Sequence, residues 1–282
     1  MKRSLSVDLS GKTAVVTGGG GVLGGEMAKA LAGAGASLAI LNRRLEKSES
    51  MAAAIRDAGG SALGLSCDVL DVSNLESALT TIEAEFGPID VLVNAAGGNH
   101  PKGTASLEQY DPKADVPEGA TNFYDLDKEA VGSVFDLNFF GTFTACQVLT
   151  RSMVERGEGV VINISSAAAP KPLTKVAGYS AAKAAVENFT RWLATHLAPS
   201  GVRVNAITPG FFLTEQNRTL LTNEDGTPTE RGQKIVSNTP MGRLGSPDEL
   251  NGALLWLVSD DASFVTGAVI DVDGGFSAFS GV

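Results

Sequence analysis

Residues 160–164 form a short, largely apolar run, far too brief to span a membrane and bounded by Gly159 and Ser165. That is how a strand buried on both faces of a parallel sheet reads. Comparable runs recur at 13–17, 37–41, 62–69, 90–94, 202–207 and 269–272. Between them lie segments of helical periodicity at 26–34, 44–58, 73–86 (Ser73 as N-cap), 128–155, up to Ala198, and 248–259. Strands alternating with helices predict an α/β protein built on a doubly wound parallel sheet with helices on both faces. A chain of 282 residues with 43% hydrophobic residues supplies one sizeable core, and no linker interrupts it, so residues 1–282 read as a single domain.

Chemistry belongs where such strands end. The 160–164 run delivers Ser165 and Ser166; thirteen residues after Ser166 comes Tyr179, and four residues later Lys183. In a helix, positions i and i+4 share a face, so the Lys183 ammonium can stand beside the Tyr179 phenol. A free phenol, with a pKa near 10, is a poor acid or base at neutral pH, and a neighbouring cation is expected to lower that value. Ser166 is placed to hydrogen-bond the same substrate oxygen and orient it.

The first strand leads into Gly18-Gly-Gly-Gly21-Val22-Leu23-Gly24-Gly25 and then a helical pattern. Strand, glycine loop and helix make a phosphate-binding order: absent Cβ atoms let the backbone approach a pyrophosphate, and the helix N-terminus offers unpaired N–H groups. Gly18, Gly20, Gly21, Val22 and Leu23 are the candidate contacts. The second strand ends in Asn42-Arg43-Arg44, where an adenine ribose would lie. An acidic residue there would repel a 2′-phosphate; Asn42 does not, and Arg43 can pair with one, which favours NADP(H). Asn42 can also bond a bare ribose hydroxyl, so NAD(H) stays open.

The Ser166, Tyr179, Lys183 set resembles the active site of the short-chain dehydrogenase/reductase family, and the motifs from 9 to 275 fall in that family's order. The resemblance implies a Rossmann-type fold and hydride transfer between NAD(P) and a CH–OH group. Tyr179 would be the general acid/base, Ser166 would steady the substrate oxygen, Lys183 would also hold the nicotinamide ribose, and Asn138 would support a water relay. It further implies cofactor contacts from Asp68 and Val69, from the turn Asn94-Ala95-Ala96-Gly97, from Pro209-Gly210 and Phe212, and from Thr214. Val22 stands where the family's loop usually has its middle glycine. The combination of this loop with Gly97-Gly98-Asn99-His100-Pro101-Lys102, Pro209-Gly210-Phe211-Phe212 and the ending Asp-Gly-Gly-Phe-Ser-Ala-Phe-Ser-Gly-Val is similar to the D-mannonate oxidoreductase (fructuronate reductase) branch. The expected substrate is then D-fructuronate or D-mannonate. A gluconate dehydrogenase type, a 3-oxoacyl carrier-protein reductase and a non-catalytic redox-sensing protein are the alternatives. The family also implies a homotetramer.

Two extended segments, about 98–124 and 211–240, leave strand ends on the ligand edge and read as substrate-loop insertions. The net charge of −10 argues against nucleic acid or an anionic membrane as partner. It also means that an anionic sugar acid needs a local cation. Lys102 is the leading candidate, with Lys171 and Arg218 as rivals, and Asn99 and His100 can bond sugar hydroxyls. Cys67 and Cys146 read as small core residues, and neither they nor His100 and His196 have metal-ligand spacing. The N-terminus has basic residues without an apolar stretch behind them, which predicts a cytoplasmic protein.

Overall fold

The computed structural model describes residues 7–113, 117–214 and 217–281. The extreme ends of the chain and short pieces of both expected insertions, 114–116 and 215–216, lie outside them. The strands are β1 (Thr13–Thr17), β2 (Ser37–Asn42), β3 (Ser61–Ser66), β4 (Val91–Asn94), β5 (Gly159–Ile164), β6 (Val202–Pro209) and β7 (Val269–Val272). They form one sheet in the order β3-β2-β1-β4-β5-β6-β7, with every pairing parallel. The expected doubly wound Rossmann-type sheet is therefore what the chain forms. Strand order reverses between β1 and β4, so a crevice opens at their carboxyl ends, where ligands bind in sheets of this kind.

The helices are α1 (Val22–Gly33), α2 (Leu45–Asp57), α3 (Val72–Phe86), α4 (Lys128–Phe135), α5 (Gly141–Leu149), α6 (Arg151–Arg156), α7 (Ala177–Leu197), α8 (Arg218–Leu221), α9 (Glu230–Ser237) and α10 (Asn251–Val258). Period-two alternation divides each central strand between two cores. Ala14 and Val16 of β1 and Leu38 and Ile40 of β2 face a core shared with Met27, Leu31, Leu254 and Leu257 of α1 and α10. Val15, Ala39 and Leu41 face the opposite core, with Leu75, Ile82, Leu149, Met153 and Leu193 of α3, α5, α6 and α7. Truncating any fully buried Leu or Ile here to Ala costs about 2–5 kcal/mol. A polar chain also crosses the second core. Asn94 Nδ2 donates to Asn163 Oδ1 at 2.9 Å, Asn163 Nδ2 to Thr190 Oγ1 at 2.9 Å, and Thr190 Oγ1 to the Val186 carbonyl at 2.8 Å. It fastens α7 to β4 and β5.

Several expected boundaries move for local reasons. Helix α1 begins at Val22 rather than Glu26, so the helix grows directly out of the glycine loop. The N-cap of α3 is Asp71, not Ser73: its carboxylate accepts from the Ser73 and Asn74 backbone N–H groups at 2.8 and 3.3 Å. Cys67, Asp68 and Val69 lie beyond β3, where Asp68 Oδ1 accepts from the Leu70 N–H and turns the chain. The last helix is entered through a 3-10 turn, Pro247–Leu250. The segment expected as one helix over 128–155 is broken. Between α4 and α5, Asp136–Phe140 form a π turn in which the Gly141 N–H reaches the Asp136 carbonyl, and a further break at Thr150 separates α5 from α6. The extra residue in that turn carries Asn138 inward.

Candidate active site

A cleft of about 840 Å³ opens across the carboxyl ends of β1, β2, β4, β5 and β6. At one end lies the loop between β1 and α1. Gly18 has φ +66°, and a Cβ there would sit 2.7 Å from the Ala95 carbonyl oxygen, so the close approach of this loop to the β4 turn requires glycine. The N-cap of α1, Gly21, brings no side chain to its helix, which leaves the first N–H groups of α1 without a side-chain cap while Gly21, Val22, Leu23 and Gly24 line the cleft. An uncapped helix start facing a cavity fits an anionic group such as a pyrophosphate. Val22, at the position of the expected middle glycine, starts α1 and lines the cleft. Gly20 does not line it; a Cβ there would meet Asn42 Nδ2 at 2.8 Å, so this glycine serves the packing of the loop against the β2 turn.

Farther along, Asn42, Arg43, Arg44, Asp68 and Val69 line the cleft where β2 and β3 end. Asn42 Oδ1 accepts from the Arg44 N–H at 3.3 Å. Cys67 also lines this part, but burial pushes its thiol up to about 11, and that of the fully enclosed Cys146 to about 12, which leaves both unreactive near neutral pH. Ala95, Ala96 and Gly97 form the wall after β4. Asn94 does not line the cleft, because its side chain is committed to Asn163 and, at 3.2 Å, to Cys146 Sγ.

At the far end stand Ser166, Tyr179, Lys183 and Asn138, all lining the cleft. The Lys183 ammonium is buried and donates to the Ile164 carbonyl at 2.8 Å, with its nitrogen 5.7 Å from the centre of the Tyr179 ring. Burial pushes its pKa from 10.5 down to about 8. Tyr179 moves against expectation: burial raises the phenol above its usual value, and the hydrogen bond to the Ser166 side chain only partly offsets this. Desolvation is the larger influence on the phenol. The protonated phenol is thus the resting form at neutral pH.

Asn138 is fully buried, and its amide grips one residue at two points. Nδ2 donates to the Gly98 carbonyl at 2.7 Å, and Oδ1 accepts from the Gly98 N–H at 3.3 Å. A Cβ on Gly97 would lie 2.5 Å from Asn138 Oδ1 and 3.5 Å from Lys183 Nζ, so the missing side chain lets the β4 turn, the π turn and α7 converge.

Of the expected substrate contacts, Asn99 and His100 line the cleft and Lys102, Lys171 and Arg218 do not. Lys171 Nζ donates to the Phe276 carbonyl at 3.1 Å and also bonds that of Phe279, so it ties down the C-terminal segment. Lys102 lies in an exposed 3-10 turn, Pro101–Gly103, and Arg218 opens α8. His100 is held in place: its Nδ1 accepts from the Lys102 N–H at 3.2 Å and its carbonyl from Thr104 Oγ1 at 3.0 Å. An accepting Nδ1 puts the ring proton on Nε2. Pro209, Gly210, Phe212 and Thr214 also line the cleft. Sequence reading missed Asn217, which lines the cleft and orders the segment after β6 by donating to the Phe212 carbonyl and accepting from the Thr214 N–H, both at 2.8 Å. It also missed Ser133 and Leu137, ordinary residues with no local pattern to mark them.

A family model described as enoyl-(acyl carrier protein) reductase matches residues 21–277. The chain belongs to the short-chain dehydrogenase/reductase family. It is 49% identical over 279 residues, 99% of each chain, to the uncharacterised oxidoreductase UxuB of Bacillus subtilis. It is also 35% identical to the D-threitol dehydrogenase of Mycolicibacterium smegmatis, over 98% of each chain. A crystal structure of a candidate D-mannonate oxidoreductase from Haemophilus influenzae with bound NAD superimposes with a TM-score of 0.93, at 44% identity over 98% of each chain. This member of the family is an NAD(P)-dependent oxidoreductase acting on a hydroxyl-bearing carbon. Among the described residues no helix is long and apolar enough to cross a membrane.

Proposed function

We propose that the enzyme interconverts D-fructuronate and D-mannonate. The observation that carries this reading is the full-length likeness to the Haemophilus influenzae candidate D-mannonate oxidoreductase, together with a polar substrate wall built from Asn99 and His100. The uncapped start of α1, Asp68 and Lys183 would hold the nicotinamide cofactor, which would supply or accept the hydride when bound. The chain's own groups handle the proton. Tyr179, protonated at rest, donates to the carbonyl oxygen during reduction, Ser166 holds that oxygen, and the Lys183 cation stabilises the phenolate left behind. The reverse steps serve oxidation.

Because the three basic candidates lie outside the cleft lining, His100 is the substrate-reading group of this proposal, donating from Nε2 to an oxygen remote from the reacting carbon. A donor of this kind serves a carboxylate or a hydroxyl, so a neutral polyol is the second reading, in line with the D-threitol dehydrogenase relative. Arg43 and Arg44, which follow Asn42 at the end of β2 and line the cleft, support use of NADP(H), while the solved relative carries NAD. The half-exposed rings of Phe140 and Trp192 on one side of the molecule support the family's homotetramer. The test is a panel of keto and hydroxy sugar acids and polyols assayed with both cofactors by absorbance of the reduced nicotinamide. Turnover of fructuronate above all others is expected; a neutral polyol as the best substrate overturns the sugar-acid assignment.

A further inference from the structure

Glu187 is a buried carboxylate on α7, one turn beyond Lys183, and none of the steps above uses it. Its Oε1 accepts from Ser165 Oγ at 2.9 Å and from Thr208 Oγ1 at 3.4 Å, and its Oε2 lies 3.7 Å from Arg191 Nη2. Ser165 ends β5 immediately before Ser166. Thr208 belongs to β6, immediately before Pro209 and Gly210 of the cleft wall, and its single hydroxyl proton is shared between Glu187 and the Asp271 carboxyl of β7. One carboxylate thus joins the helix carrying Tyr179 and Lys183 to the two strand ends that carry the rest of the reacting end of the cleft.

The bond has a second consequence. Ser165 lines the cleft although its side chain is buried. Its single hydroxyl proton has two acceptors, Glu187 Oε1 at 2.9 Å and the Lys183 carbonyl at 3.4 Å. The shorter, charge-assisted bond takes it. The Ser165-Ser166 turn is thereby tied to α7.

We propose that Glu187 is a positioning residue for this reaction, acting through Ser165 to fix the Ser166 turn against Tyr179. Small displacements of a reacting group cost up to about a hundredfold in rate. Glu187→Leu and Ser165→Ala should each lower kcat by about ten- to a hundredfold, with cofactor affinity and melting temperature close to wild type. Glu187→Gln, which keeps an acceptor oxygen at the same place, should restore most of the rate. The decisive measurement is the double-mutant cycle on kcat, using the best substrate of the panel above: if Glu187 works through Ser165, Glu187→Leu/Ser165→Ala is no slower than the slower single variant. Multiplying losses overturn the proposal, as does a Glu187→Leu enzyme with wild-type kcat. If Glu187→Leu does not fold, Ser165→Ala decides alone, and an unchanged kcat rejects the idea. The cycle rests on the reaction class, so it stands whether the best substrate is an acid or a polyol.

Discussion

Replacing Lys183 by methionine should disable the protein at no net cost in stability. The ammonium is buried, has one backbone partner, and has its pKa pushed from 10.5 to about 8 by burial alone. Below about pH 8 both native and unfolded chains carry the proton, and only the native chain bears the desolvation. Between 8 and 10.5 the unfolded chain binds a proton that the native chain does not, so stability rises with pH by about 1.4 kcal/mol per unit, about 3 kcal/mol in all. Above 10.5 both are neutral and the penalty is gone. Methionine has nearly the same length and no charge, so it removes the penalty at pH 7. It also leaves the Ile164 carbonyl without its donor, at a cost of about 1–3 kcal/mol. The net is close to neutral or a gain of about 2 kcal/mol by these figures, with turnover lower by at least about a hundredfold. Urea denaturation of both proteins at intervals from pH 7 to 10.5 checks this. The advantage of Lys183→Met over wild type must shrink by about 3 kcal/mol across that range. Tyr179 titrates in both proteins and largely cancels from the comparison. A pH-independent difference would refute the buried-ammonium argument.

Tyr179→Phe removes the transferable proton and should lower kcat by about 10²–10⁴-fold, while cofactor affinity, read by fluorescence of the reduced nicotinamide, stays put; near-normal turnover would sink the mechanism. Arg43→Ala should weaken NADP(H) by about ten- to a hundredfold, the loss of one charge-assisted contact, and spare NAD(H), so equal effects on both would show that Arg43 does not read the 2′-phosphate. For the substrate wall, His100→Phe should cut kcat/KM by about tenfold or more, whereas Lys102→Ala should leave it nearly unchanged; the opposite ranking returns the role to Lys102. Ketone reduction should hold level from pH 6 to 8, where Lys183 is charged and Tyr179 protonated, and decline above about 8 as the cation is lost. A wild-type profile flat to pH 10 contradicts that assignment.

What sequence reading located correctly and what it missed divide along a physical line. The strand β1 falls where expected because burial on both faces leaves an uninterrupted apolar run whose ends are set by Thr13 and the glycine after Thr17. The Tyr179-Lys183 pair is legible for the same kind of reason: its spacing is a property of one helix. The break in the 128–155 helix is not local. The run from Phe135 to Phe143 keeps helical periodicity, and the π turn is fixed by the grip of Asn138 on Gly98, forty residues away in sequence. Likewise Lys171 stands just after Ser166 in the chain, yet the carbonyls of Phe276 and Phe279 take its ammonium. Glu187 looks like any charged helix residue until β5 and β6 are laid beneath it.

The sign of the Tyr179 shift follows the same division. From i and i+4 spacing alone a lysine must lower the pKa of the phenol beside it, and that inference holds only while both groups keep their water. Folding removes the water and hands the ammonium to Ile164, so desolvation dominates both groups and moves them toward their neutral forms, Tyr179 up and Lys183 down. The free protein thereby holds a protonated phenol at Tyr179 and a cation at Lys183 that survives only to about pH 8, the pairing that the proposed carbonyl reduction calls for.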